Sequence, residues 1–170
     1  MSGRDKETDL ARFHYWVPVE VRYADLDTQG HVNNATYLTY FEHARAHLLY
    51  TMSDRARQEQ SAEPVEIHQP TQPPGVVPFI PFVVIDASLS YRRPITGMVP
   101  LVVGVRVGEI SRASVEMRYA VCDRPGGTVY ATGATRIIAI HPETGRPCSL
   151  PSATRAALER MATAERTNGT

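Results

Sequence analysis

The chain is almost devoid of lysine. Of its 18 basic side chains, 17 are arginine, and the single lysine, Lys6, lies in a polar N-terminal stretch. Schiff-base chemistry needs a lysine that can lose its proton, and a phosphate-cradling loop needs one after glycines. Neither is on offer. Arginine stays protonated, so it can bind phosphate or carboxylate but makes a poor base. Cysteine is also scarce. Cys122 and Cys148 can build neither a disulfide framework nor a zinc cluster. No sign of charge dominates, because 18 acidic residues balance the 18 basic ones. No field therefore recruits nucleic acid or an anionic membrane. No apolar run reaches membrane-spanning length, and the opening MSGRDKETDLAR has no apolar stretch of the signal-peptide kind. A cytoplasmic protein without membrane insertion is the expectation.

What remains is an ordinary globular composition, with 42% hydrophobic and 21% charged residues over 170 positions. That length suits one domain with a core of its own. The expected organisation is a flexible N-terminal tail over 1–13, a single domain over 14–162 and a flexible C-terminal tail over 163–170. YWVPVEVRY (15–23) alternates, with Tyr15, Val17, Val19, Val21 and Tyr23 on one face, which predicts a strand. ADLDTQGHVNN then reads as a loop. Asn33 or Asn34 is a suitable cap for a helix running to about residue 51. Its apolar stripe is Tyr37, Tyr40, Phe41, Ala44 and Leu48, widened by Leu38 and Leu49. Residues 52–63 are polar and could extend it. Residues 64–81 hold six of the thirteen prolines and read as a stiff connecting loop.

Four strand signals follow, at 82–93, 101–110, 114–122 and 128–140, and then a short helix at 149–161 with Ser152 as its cap. One apolar helix and long antiparallel strands imply an α+β fold, a curved sheet wrapped around the helix. Such a sheet leaves an edge strand needing cover, and a second copy of the chain is one solution.

The segment Arg22–Arg45, RYADLDTQGHVNNATYLTYFEHAR, carries the chemistry. Asp25, Asp27 and His31 lie just before a helix start, where unpaired N–H groups and the positive dipole end can hold an oxyanion. A carboxylate there could attack a carbonyl carbon or deprotonate a water that does. Those two parts suffice to hydrolyse a thioester.

This D-x-D…H-V-N-N-x-x-Y block resembles the hot-dog-fold acyl-CoA thioesterases of the 4-hydroxybenzoyl-CoA thioesterase type. It is similar also to the plant acyl-carrier-protein thioesterases. The resemblance runs from about residue 15 to 160, with SYRRPI (90–95), Ser111–Tyr119 and TGRPCSLP (144–151) as weaker features. It implies a hot-dog fold and a homodimer or homotetramer with active sites at the subunit interface. It implies hydrolysis of an acyl thioester, acyl-CoA ahead of acyl-carrier protein, with no metal or redox cofactor needed. Asp27 matches the catalytic carboxylate, as nucleophile or general base. His31 matches an assisting histidine, and the N–H near Asn34 the oxyanion donor. Gln29 stands where the carrier-protein branch has a catalytic Asn. Gln29, Asn33 and Tyr37 form the substrate-binding side of the site, Tyr37 lining the acyl pocket, and Arg92, Arg93 and Arg112 are candidates for the phosphates of coenzyme A.

Plainer readings stand beside these. Asp25 reads as a turn or Arg-paired residue, and Glu42 as a helix partner of Arg45. His43 and His47 have half of a zinc-site spacing but no obvious third ligand. Ser111 and Ser114 lack a nucleophile elbow, and neither cysteine shows a catalytic partner. Two other functions fit the same block: a hot-dog hydratase or dehydratase acting on an enoyl or hydroxyacyl thioester, and a non-catalytic acyl-CoA-binding module.

Overall fold

The computed structural model describes residues 9–60 and 81–167, with side chains over 9–52 and 81–163. Most of the proline-rich stretch, and the outermost residues of both expected tails, lie outside the described residues. Strand β1 (Tyr15–Glu20) leads through a 3₁₀ turn, Tyr23–Asp25, and a loop into the long helix α1 (Thr36–Gln60). Then come β2 (Phe82–Tyr91), β3 (Pro100–Ile110), β4 (Ser114–Cys122), β5 (Val129–Ala139) and helix α2 (Ser152–Thr167). The strands form one antiparallel sheet in the order β1-β3-β4-β5-β2. Register shifts interrupt β2, β3 and β4, and such bulges bend strands. The sheet curves around α1, the α+β hot-dog architecture.

Alternation along the strands sets the inner face. Val103, Val105 and Val107 of β3, Val115, Met117, Tyr119 and Val121 of β4, and Ala131, Ile137 and Ala139 of β5 are all buried against the helices. The α1 stripe meets them as expected: Tyr37, Tyr40, Phe41, Ala44, Leu48 and Leu49 are buried. Leu38 is not, and stays 42% exposed on the first turn. Phe41 stacks on Tyr119 with centroids 4.5 Å apart and planes 11° from parallel. The Tyr119 hydroxyl meets Thr135 Oγ1 at 2.7 Å and accepts from Arg45 at 3.4 Å. Arg45 thus reaches the sheet. The expected Glu42–Arg45 pair is not formed among the described residues, and Glu42 is exposed.

Other boundaries also moved. The first strand ends at Glu20 and Tyr23 is 81% exposed, because the chain turns there to enter the 3₁₀ turn. Helix α1 runs beyond residue 51, since SDRARQEQ lacks an apolar stripe but is rich in good helix formers. The terminal helix likewise continues into the expected tail, to Thr167. At the other end, Leu10–Arg12 forms a 3₁₀ turn and Phe13 is buried. Phe13, Trp16, Ala120 and Cys122 make a small second cluster, with the Arg106 guanidinium 5.5 Å from the Phe13 ring centre. Two apolar side chains, Leu10 and Phe13, were enough to dock a segment that reads as polar.

Gly133 is the tightest point between β2, β5 and α1. A Cβ there would come within 2.5 Å of the Phe41 ring and would collide with the Ser88 carbonyl oxygen. Alanine in a strand gains roughly 0.5–1 kcal/mol over glycine, but overpacking costs about 1–3 kcal/mol, and a backbone oxygen cannot swing aside. Gly133→Ala is therefore expected to lower the thermal midpoint by roughly 2–8 °C, read by calorimetry. An unchanged midpoint would remove Gly133 as the contact that seats α1.

Candidate active site

The site is built on the fifteen residues, 21–35, between β1 and α1. The first Asp of the pair, Asp25, is 3% exposed. Its Oδ2 accepts from the Arg22 N–H at 2.9 Å and the Tyr40 hydroxyl at 3.0 Å, and its Oδ1 accepts from the Arg22 guanidinium at 2.9 Å. Burial alone would raise the pKa of this carboxyl, but the bonds from Arg22 and Tyr40 outweigh it and hold the pKa below its ordinary value. Since the folded pKa lies below the unfolded one, this carboxylate contributes stability above about pH 4 that is lost as pH falls through its folded value. Tyr40 shifts the other way, held neutral first by burial and then by the carboxylate it serves. Asp25 is thus an Arg-paired structural residue.

Asp27 points outward. Its Oδ1 accepts from the backbone N–H groups of Gln29, at 2.8 Å, and His31, at 3.1 Å. Its own N–H donates to the His31 carbonyl at 2.7 Å, and its carbonyl accepts from Gly30 at 3.0 Å. Gly30, with φ +74°, supplies the left-handed residue this turn requires. Bridges from Leu26 to Val32 and from His31 to Thr96 fasten the turn, and Val32 donates to the Ile95 carbonyl at 2.9 Å. One carboxylate oxygen is therefore immobilised, and Oδ2 has no partner among the described residues. Gln29 acts here through its backbone, its side chain exposed. The His31 ring is half-buried and makes no hydrogen bond to the described residues.

The helix entry follows. Asn33 caps it: its side-chain oxygen accepts from Ala35 and its carbonyl from Thr36, both at 2.9 Å. The Asn33 N–H donates to the Asp25 carbonyl at 2.8 Å. The Asn34 N–H, one residue on, has no partner among the described residues, and the Asn34 carbonyl accepts from the Tyr91 hydroxyl at 3.0 Å. Tyr37 is buried one turn in, with Tyr91 packed edge-on at 5.2 Å. Its burial makes it part of the wall behind the loop. Arg92 and Arg93 directly follow β2, both N–H groups on the Tyr130 carbonyl and both side chains exposed. They stand on the loop's side of the sheet, next to Ile95 and Thr96. Arg112 does not. It lies in the β3–β4 turn, the whole of β3 away, about 30 Å at strand rise.

Elsewhere, a cleft of about 360 Å³ opens between β1 and α1, lined by Val19, Glu20, Arg22, Thr39, Tyr40 and His43. It abuts the Asp25 network and does not include Asp27. His47 is engaged by the Tyr15 hydroxyl at 2.6 Å. The Cys122 thiol is buried, and burial pushes its pKa up to about 12, which leaves it inert as a nucleophile. Tyr40 and Tyr91 were not foreseen as part of the site. Tyr91 stands in the SYRRPI block, where attention falls on the arginines.

The comparisons with known proteins agree on family and fold. The family described as the thioesterase-like superfamily matches residues 21–158. The long-chain acyl-CoA thioesterase FadM of Escherichia coli K12 is 27% identical over 143 residues, 84% of this chain and 96% of that protein. Among solved structures, a thioesterase from Thermus thermophilus complexed with coenzyme A and Zn is 32% identical with a TM-score of 0.64, covering 86% of this chain and 98% of that one. YbaW, a probable thioesterase from Escherichia coli, is 25% identical with a TM-score of 0.65, covering 88% and 99%. The chain belongs to the thioesterase-like superfamily.

Proposed function

We propose that this protein hydrolyses acyl-CoA thioesters, with Asp27 as the reacting carboxylate. One observation carries the reading. Asp27 is pinned through one oxygen by two backbone N–H groups, with its other oxygen open, at the entrance to α1. The likeness to FadM, a long-chain acyl-CoA thioesterase, supports an acyl-CoA substrate. The thioester carbonyl oxygen sits at the helix start, on the Asn34 N–H, where the dipole polarises it. Asp27 Oδ2 then attacks the carbonyl carbon, or takes a proton from a water that attacks it. Negative charge builds on the oxygen held by the N–H, the C–S bond breaks, and the thiolate leaves and takes up a proton. Water supplies the new C–O bond, directly or by hydrolysing an anhydride on Asp27, and the products are a free acid and a thiol. His31 orients the water or the carboxylate. Gln29 and Asn33 shape the loop at the substrate, and Arg92 and Arg93 face the phosphates of coenzyme A. A cytoplasmic location is in keeping with two unpaired cysteines.

The working unit is a homodimer paired through β2. The two sheet edges differ. Edge strand β1 carries Pro18 in its middle, which blunts pairing. Edge strand β2 is ten residues long, lacks proline, and leaves Val83, Val84 and Ile85 42–54% exposed. A two-fold antiparallel pairing of β2 with its copy sets the Phe82 end of one protomer beside the Tyr91 end of the other. The β3–β4 turn lies at the Phe82 end. Arg112 of a second copy then stands on the same side as this protomer's Asp27 loop, which reconciles its role with its distance.

Two outcomes follow. Thiol release from a panel of acyl-CoA esters is expected from the wild type, and Asp27→Asn should lose at least ~100-fold in kcat. If acyl-CoA binds but no thiol appears from any ester, the protein is a binding module; enoyl absorbance changes without thiol would make it a hydratase. Sedimentation should give twice the 18.9 kDa chain mass, and Ile85→Lys should yield a folded monomer with little activity. A wild-type monomer with full turnover would rule out the β2 dimer.

A further inference from the structure

Two tyrosines that the chemistry above leaves unused grip the two ends of the loop that performs it. Tyr40 rises from α1, and its hydroxyl donates to Asp25 Oδ2 at 3.0 Å. Tyr91 is the last residue of β2, and its hydroxyl donates to the Asn34 carbonyl at 3.0 Å. Tyr37 lies between them, its ring centre 6.3 Å from that of Tyr40 and 5.2 Å from that of Tyr91. The loop is thus tied at its entry to the helix and at its exit to the far edge of the sheet.

The bonds flank one peptide, the one between Asn33 and Asn34. The Asn33 N–H is fixed on the Asp25 carbonyl at 2.8 Å, and Asp25 is fixed by Tyr40. The Asn34 carbonyl is fixed by Tyr91. The Asn34 N–H lies between these two anchors, so its direction is set from both sides. Asp27 sits within the same bracket, its own turn closed by His31 and Gly30. Tyr91 is 49% exposed in the single chain.

We propose that Tyr40 and Tyr91 are positioning residues, a two-hydroxyl clamp that fixes the Asn34 N–H relative to the Asp27 carboxylate. This rests on the thioesterase reading of the site and adds to it how the site is held. Because Tyr91 belongs to the edge strand β2, the clamp also ties the loop to whatever pairs with that edge.

The test uses Tyr40→Phe, Tyr91→Phe and, as a control on the same turn, Tyr23→Phe. Each is assayed for acyl-CoA hydrolysis and for hydrogen exchange of the 25–34 segment by mass spectrometry. Misplacing a reacting group by about 1 Å can cost ~100-fold, and phenylalanine keeps the rings in place, so a loss of about 5- to 20-fold in kcat is expected from each hydroxyl, with KM within about two-fold. Exchange across 25–34 should quicken in both, and Tyr23→Phe should match the wild type. Wild-type kcat and wild-type exchange in Tyr91→Phe overturn the clamp. If Tyr40→Phe fails to fold, the half-exposed Tyr91 decides alone. If the wild type releases no thiol from any ester, exchange still decides the clamp, and only the thioesterase reading falls.

Discussion

The site depends on a buried carboxylate. A charge taken out of water costs several kcal/mol unless it is paired and hydrogen-bonded, and Asp25 meets that condition only in one arrangement. Arg22 must close back over it, Tyr40 must come within reach from α1, and its carbonyl must face Asn33. Satisfying Asp25 therefore fixes where β1 ends, how the chain turns, and how α1 begins. A shift of the helix along the sheet would break the Tyr40 bond and unseat Phe41 from Gly133 and Tyr119. The loop, the helix start and the core are held by one set of constraints.

Within that frame two aspartates two residues apart take different roles. Asp25 lies in the 3₁₀ turn, faces inward and has both oxygens occupied. Asp27 lies on the loop, faces outward and has one oxygen tied to backbone N–H groups. Environment, and not residue type, separates the two carboxylates, as in other paired-carboxylate sites. The helix start is divided in a similar way: Asn33 satisfies the N–H groups of Ala35 and Thr36, and the Asn34 N–H has no partner among the described residues.

Much of this was legible in the sequence where the signal is local. Alternation in LVVGVRVGEI and SVEMRYAVC placed β3 and β4 within a residue of their observed ends, because one buried face leaves a period of two. The helical stripe named the residues that meet the sheet. The D-x-D…H-V-N-N block marked the loop, and Asp25 read as Arg-paired. Long-range bonds carry no such signal. Nothing near Tyr91 indicates a partner 57 residues away at Asn34, and nothing near Arg45 indicates Tyr119, so Arg45 was given to the nearer Glu42. The helix end over 52–60 is set by propensity alone and read only as a possible extension, since the apolar period stops before the helix does. Arg112 looked like a companion of Arg92 and Arg93 because sequence shows residue type and not which end of a strand it occupies.

The central claim is that a thioester lies across Asp27 and the start of α1. The most direct measurement is a crystal structure with an acyl-CoA analogue in which a methylene ketone replaces the thioester, so that it binds without turnover. The account predicts the ketone oxygen at ~2.7–3.1 Å from the Asn34 nitrogen, with Asp27 Oδ2 facing the carbonyl carbon. A ketone seated instead in the β1–α1 cleft, against Thr39 and His43, would contradict it.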